Sequence, residues 1–277
     1  MKRRTHRIGT NTISFLEAGE AGKPVMLFLH GIPASAELWR DTIAQAAEKG
    51  YHCLAPDMPG YGGTIVKDKR VYTFPGTAAL FITWLKELEL ESIWLVGHDL
   101  GGAVAQLMLT QEESLFQKVS LSNVVTADTY PVPVIEKLIK TAKLGIFYWM
   151  ARFGRFEMNK QYAGMKRVFV RNTSFSQEDF QRIFYDGKFH SPKKIAKFQR
   201  MLARLNHSAT LENMSALAKV SLHVHLIWGM DDRFQPWEGA GKILERTFSD
   251  VRVTQIDTCG HFLQLDAPED YWEALFS

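Results

Sequence analysis

Residues 93–107 read IWLVGHDLGGAVAQL. The run Ile93 to Val96 suits a buried strand. The apolar, helix-favouring set from Ala103 onward suits a helix, and only glycine-rich chain lies between them. A strand that passes through Gly-x-x-x-Gly straight into a helix restricts the fold severely. It requires a sheet with a helix packed back on it, and it lifts the central residue clear of the strand's C-terminal end. This is the form of a nucleophile elbow, where serine is the usual occupant. Here the residue is Asp99.

The rest of the chain repeats the same rhythm. Residues 12–17, 25–29 ("VMLFL"), 52–56 ("HCLAP"), 92–99 ("SIWLVGHD"), 118–124 ("KVSLSNV"), 223–229 ("HVHLIWG") and 251–257 ("VRVTQID") read as strands. Leu38 to Lys49, Ala78 to Leu90 and Gly101 to Thr110 read as helices. Strands spaced by helices predict an α/β fold: a mostly parallel sheet with helices on both faces. The rhythm breaks between 126 and 217. The segment opens with "TYPVP", where Pro131 and Pro133 exclude regular strand or helix, and continues through helical, aromatic-rich stretches such as "LGIFYWMARFGRF". The expected organisation is a core of residues 1–125 and 218–277 carrying an inserted helical lid, 126–217. That segment holds 16 Lys and Arg against 7 Asp and Glu, so the net positive charge of the chain lies there. A solvated helical surface is the plainer account of it, and anion steering the alternative.

Composition narrows the function classes. With 46% hydrophobic and 23% charged residues the chain is globular rather than disordered. Cys53 and Cys259 match no metal-ligand spacing and suggest reduced thiols. The basic start "MKRRTHRIG" is followed by no apolar signal region, and no apolar run approaches membrane length. A cytoplasmic protein without a membrane span is expected. No phosphate-cradling loop, metal cluster or nucleic-acid motif appears, so neither a cofactor nor a nucleic-acid partner is expected. Oligomeric state is not readable.

Four stretches carry the chemistry. "LHGIPAS" follows a buried strand, and "GHDLGG" forms the elbow. The backbone N–H groups of Ile32 and of Leu100, the residue after the elbow centre, are the expected oxyanion donors. "LIWGMDDRFQP" offers Asp231 and Asp232, and "TCGHFLQLDAPE" offers His261. All follow strand C-termini, and in a parallel sheet such residues converge on one crevice. The chain order of nucleophile, acid and histidine fits a triad of Asp99, Asp232 and His261. His30 and His98 read as packing or hydrogen-bonding neighbours.

These residues resemble the α/β-hydrolase superfamily, within it the branch with an aspartate nucleophile. "HGIP" is similar to the H-G-x-P turn of epoxide hydrolases and haloalkane dehalogenases. "GYGGT" (60–64) resembles a motif of epoxide hydrolases, and "GHDLGG" fits both. The resemblance spans nearly the whole chain, and its W-G-x-x-D pattern favours Asp232 over Asp231 as the acid. Chemistry agrees with an aspartate here. A carboxylate attacking an ester carbonyl makes an anhydride, an uphill product, whereas attack on an sp³ carbon makes a stable ester. The implied substrate is a small hydrophobic electrophile, with water as second reactant.

The leaving group separates the possible enzymes. By the resemblance, an epoxide hydrolase presents two lid tyrosines, and Tyr148 stands where the first is expected. The second is absent near "RLNHSAT", where His207 is the substitute on offer. A haloalkane dehalogenase places Asn and Trp where this chain has Ile32 and Leu100. The fluoroacetate type places arginine after the nucleophile and uses a lid His-Trp pair, of which Trp149 alone matches. Epoxide hydrolysis is therefore the first expectation and dehalogenation the second, followed by another hydrolase or a non-catalytic binding module.

Overall fold

The computed structural model describes residues 1–154, 156–172 and 174–277. Its framework is an eight-stranded sheet in the order β1-β2-β4-β3-β5-β6-β7-β8. The strands are β1 (Lys2–Ile8), β2 (Asn11–Ala18), β3 (Val25–Leu29), β4 (His52–Pro56), β5 (Ile93–His98), β6 (Phe116–Ser122), β7 (Val224–Gly229) and β8 (Val251–Ile256). β1 and β2 pair antiparallel, as do β2 and β4, and every other neighbour is parallel.

Continuous apolar runs become central strands because both their faces are covered. In β3, Leu27 and Leu29 pack into one core and Met26 and Phe28 into the other, so successive side chains supply opposite faces. Helices α2 (Phe74–Glu87) and α3 (Leu100–Glu112) cover the first face. The second is covered by α1 (Arg40–Glu48) and the helix Pro268–Phe276. From β3 the chain runs to β4 on one side and later to β5 on the other. The crevice at this switch in strand order lies at the C-terminal ends of β3 and β5, where "HGIP" and Asp99 stand.

Two expectations need correcting. The basic N-terminus, to which no strand is assigned from the sequence, forms the edge strand β1, whose residues 2–5 are exposed and mostly charged, without the apolar alternation that marks a half-buried strand. Its charges are paired: Arg3 Nη1 lies 2.7 Å from Asp57 Oδ2 and Arg4 Nε 2.7 Å from Glu17 Oε2. A charged edge also discourages pairing with other chains. Pro133, read as a helix breaker, is instead the first residue of the helix Pro133–Lys143. At that position the missing N–H costs no intrahelical bond, and its fixed φ suits the first turn.

Between β6 and β7 the described residues form helices and no strand, principally 133–143, 146–152, 158–166, 177–189 and 192–202. Part of the positive charge of this segment serves to tie it to the sheet. Lys197 Nζ donates to the carbonyls of Tyr61, Gly62 and Thr64 at 2.8, 2.7 and 3.0 Å. In return, Asp266 from the core accepts the backbone N–H groups of Val170, Arg171 and Asn172 at 3.0, 2.8 and 2.9 Å. Among the described residues no helix is long and apolar enough to cross a membrane.

Candidate active site

The turn after β5 holds Asp99 at φ 51° and ψ −121°, a backbone region that non-glycine residues seldom occupy and that must be held by its surroundings. The flanking glycines explain how. A Cβ on Gly101 would lie 2.2 Å from the Leu29 carbonyl oxygen, so only glycine lets α3 start this close to β3. A Cβ on Gly31 would lie 2.2 Å from Asp99 Oδ1. Its absence lets the Ile32 N–H donate to that oxygen at 2.8 Å. Leu100 opens α3, and the first N–H groups of a helix have no partner within it. The two amides expected as oxyanion donors thus stand on either side of Asp99.

His261 follows β8 and presents a nitrogen to each of two carboxylates. Its Nε2 lies 3.5 Å from Asp99 Oδ2 and its Nδ1 2.7 Å from Asp232 Oδ2. Burial alone would lower the imidazole pKa, but the carboxylates of Asp232 and Asp99 outweigh it and raise it to about 10. Asp232 answers in kind. Burial opposes its ionisation, yet the His261 charge and hydrogen bonds from His261, Asn123 and the Phe234 N–H bring it down to about 2. Asn123 was not foreseen from the sequence. Its Nδ2 donates to Asp232 Oδ2 at 2.6 Å while its Oδ1 accepts the Gly229 N–H at 2.9 Å, fixing the carboxylate to β7. In sequence it is one more polar residue after the Gln, Lys and Ser of β6, and no local signal marks it. Asp231, the alternative acid, is exposed, in the turn where its N–H bonds the Cys259 carbonyl at 2.9 Å.

The two histidines flanking the site, His30 and His98, are held neutral by burial. Burial lowers His30 to about 4 and His98 to about 3. His30 sits between the Gly31 carbonyl at 3.0 Å and the Met58 N–H at 3.0 Å, which requires a proton on Nδ1 and none on Nε2. His98 bonds the Ser122 carbonyl at 2.9 Å and packs 4.8 Å, ring to ring, from His261. Both cysteines are free and buried.

Asp99 and His261 open onto a cavity of ≈ 180 Å³ whose walls include Ile32, Tyr130, Gln235 and Phe262. Tyr130 is 2% exposed, and among the described residues its hydroxyl has no hydrogen-bond partner. Burial and the Asp99 charge both hold that phenol protonated, well above its ordinary pKa. The residues expected to assist a leaving group lie elsewhere. Tyr148 is half-buried beside the 192–202 helix, its N–H bonded to Gln199 Oε1 at 2.7 Å. Trp149 is 59% exposed and stacks on Phe153. His207 begins the short helix Ser208–Glu212. None of the three lines the cavity. The resemblance points to them by motif and by place along the chain, and a helical insertion does not preserve which of its side chains reach the cavity. Tyr130 had a local signal instead: an aromatic residue in the loop leaving β6, held by Pro131.

A parallel sheet with a strained elbow at its switch point, an acid–histidine pair across from it and backbone donors between them defines the class, a hydrolase of the α/β kind. The chain belongs to the alpha/beta hydrolase fold family, whose pattern matches residues 24–268. It is 25% identical to "Epoxide hydrolase 4" of Homo sapiens over 277 residues, covering 92% of this chain and 72% of that protein. It is 39% identical to "Haloalkane dehalogenase" of Mesorhizobium japonicum over 95 residues, 34% of this chain and 30% of the other. The crystal structure of an alpha/beta hydrolase fold protein from Burkholderia ambifaria superposes with a TM-score of 0.83 at 22% identity, covering 98% and 96% of the two chains.

Proposed function

We propose that the protein is an epoxide hydrolase that works through an ester on Asp99. The Asp99 carboxylate attacks a ring carbon, a C–O bond forms to the enzyme, and the ring C–O bond breaks. The released oxygen takes a proton from Tyr130, which is reprotonated from solvent. Water then attacks the ester carbonyl and gives its proton to His261 Nε2. The oxyanion formed is held by the Ile32 and Leu100 N–H groups, and its collapse expels the diol oxygen, which recovers the proton from His261. Asp232 and Asn123 are positioning residues for His261.

The observation that carries this reading is the unpartnered, buried Tyr130 hydroxyl on the wall of the Asp99 cavity. The ring oxygen released in the first step needs a proton donor of its own, and the Tyr130 hydroxyl on the cavity wall supports that role. Dehalogenation is the second reading, favoured by the stretch similar to "Haloalkane dehalogenase". Against it, Ile32 and Leu100 have no side-chain N–H to offer a halide.

The test is to mix the enzyme with aryl epoxides, bromoalkanes and haloacetate in turn, quench in acid and weigh the peptide that contains Asp99. A substrate-sized mass gain with epoxides is expected. A gain with bromoalkanes alone would replace this reading by dehalogenation, and ester hydrolysis without any gain would remove the covalent scheme. Tyr130→Phe should slow formation of the epoxide adduct by about 10²-fold, the usual scale for one lost donor, and leave hydrolysis of a preformed adduct unchanged. Tyr148→Phe should leave both steps within about twofold of wild type, the size of a surface-level effect. Stopped-flow single turnovers separate the steps, and an inert Tyr130→Phe would return the donor role to another residue.

A further inference from the structure

A second cavity, of ≈ 130 Å³, adjoins the one at Asp99, and the two share Ile32, Pro33, Ile135 and Met165 as walls. Six phenylalanines, Phe147, Phe156, Phe180, Phe184, Phe189 and Phe198, make most of the remaining lining. Such a chamber suits an aryl ring or a short alkyl chain. One charged side chain enters it. Lys188 is 1% exposed, and its Nζ donates to the carbonyls of Pro33 and Phe184. Nζ also lies 5.6 and 5.8 Å from the ring centres of Phe189 and Phe198.

An ammonium has three donors, and a buried one is costly unless its charge is met. Among the described residues Lys188 forms no ion pair, and Asp186 acts on it only from a distance. Two carbonyls and two ring faces leave the charge without an anion and one N–H to spare. Burial accordingly pulls Lys188 down to about 7, a penalty that an entering anion would offset.

We infer that the phenylalanine chamber is a substrate subsite for an apolar acid, with its carboxylate held by Lys188 while the reacting carbon lies at Asp99. This rests on the reading of Asp99 above and narrows it to epoxides that carry a carboxylate. The reach is set by the backbone. Asp99 is bonded to the Ile32 N–H and Lys188 to the Pro33 carbonyl, and two residues span at most about 7 Å, so the two charged ends lie within about 13 Å of each other. A medium-length acid fits this span. The excess of lysine and arginine in the segment around the chamber would draw such an anion in.

The test compares binding of phenylbutyrate and its uncharged amide to the intact protein by calorimetry, which requires no turnover. The acid should bind about 10–100-fold more tightly, the worth of one hydrogen bond to a charged group. Lys188→Met should abolish that preference. Lys188→Gln can still donate to Pro33 and Phe184 but has no charge, and it should lose the preference equally. If acid and amide bind alike to wild type, or if Lys188→Gln keeps the preference, the subsite is wrong and Lys188 is a clamp between segments. The wild-type comparison decides even where a variant fails to fold. Acid preference without any labelling of Asp99 by epoxides would overturn the chemistry and leave the subsite standing, while labelling without acid preference would do the reverse.

Discussion

Asp232→Asn is expected to lower turnover by about 10⁴-fold, and Asp231→Asn to leave it within about twofold. The two residues are neighbours in sequence and alike in chemistry, so the contrast isolates geometry. Asp232 is buried and bonds His261 Nδ1 at 2.7 Å, while Asp231 faces solvent. A carboxylate there keeps the Nδ1 proton in place and leaves Nε2 to take a proton from water. Asparagine presents an amide N–H that can turn toward Nδ1, stabilising the opposite tautomer with its proton on Nε2, where it blocks the base. The loss should fall on hydrolysis of the Asp99 ester more than on its formation, and kcat with the best epoxide of the panel reads the sum. If Asp231→Asn costs as much, or Asp232→Asn less than about tenfold, the acid has been misassigned.

The sheet was legible because its signals are local. VMLFL and IWLV are buried on both faces, and a strand so covered has to be apolar along its whole length. The elbow was legible because Gly31 and Gly101 are demanded by contacts of 2.2 Å that any side chain would violate. Asp99, Asp232 and His261 follow the ends of three strands, and the strand order then fixes where they meet. β1 was missed for the complementary reason: an edge strand in water carries charge where a central strand carries leucine. The helical segment was the least legible. Its helices could be read from periodicity, but which side chain faces the cavity depends on how each helix sits on the core. That placement is decided by ties such as Asp266 to the backbone of 170–172 and Lys197 to the loop at 61–64, which have no pattern in sequence. Tyr148 and Trp149 accordingly stand away from the cavity, and Tyr130 lines it, with one residue between it and the "VP" that begins the inserted helix.

His261→Gln is expected to divide the reaction in two. The Asp99 ester should still form, within about tenfold of the wild-type rate, because attack needs only an ionised carboxylate held by the Ile32 N–H. Hydrolysis should fall by about 10⁴-fold or more, since His261 Nε2, 3.5 Å from Asp99 Oδ2, is the group proposed to take the proton of the attacking water. The adduct should accumulate to one equivalent in the mass spectrum. The pH behaviour of the unmutated enzyme follows from the same geometry. In the free enzyme His261 lies between two carboxylates that raise it to about 10, which favours its protonated form at neutral pH. Esterification removes the Asp99 charge 3.5 Å from Nε2 and leaves burial opposed by Asp232 alone. The imidazole pKa must then fall, by about 1–3 pH units for the loss of one nearby opposite charge. On the proposed scheme His261 then releases its Nε2 proton to solvent, and the neutral imidazole is the base for hydrolysis of the ester. Hydrolysis of a preformed adduct should rise with pH through a midpoint below that of His261 titrated by NMR in the free enzyme. Coincident midpoints would mean that the Asp99 charge does not hold the proton on His261, and an adduct that fails to accumulate in His261→Gln would mean that another group supplies the base.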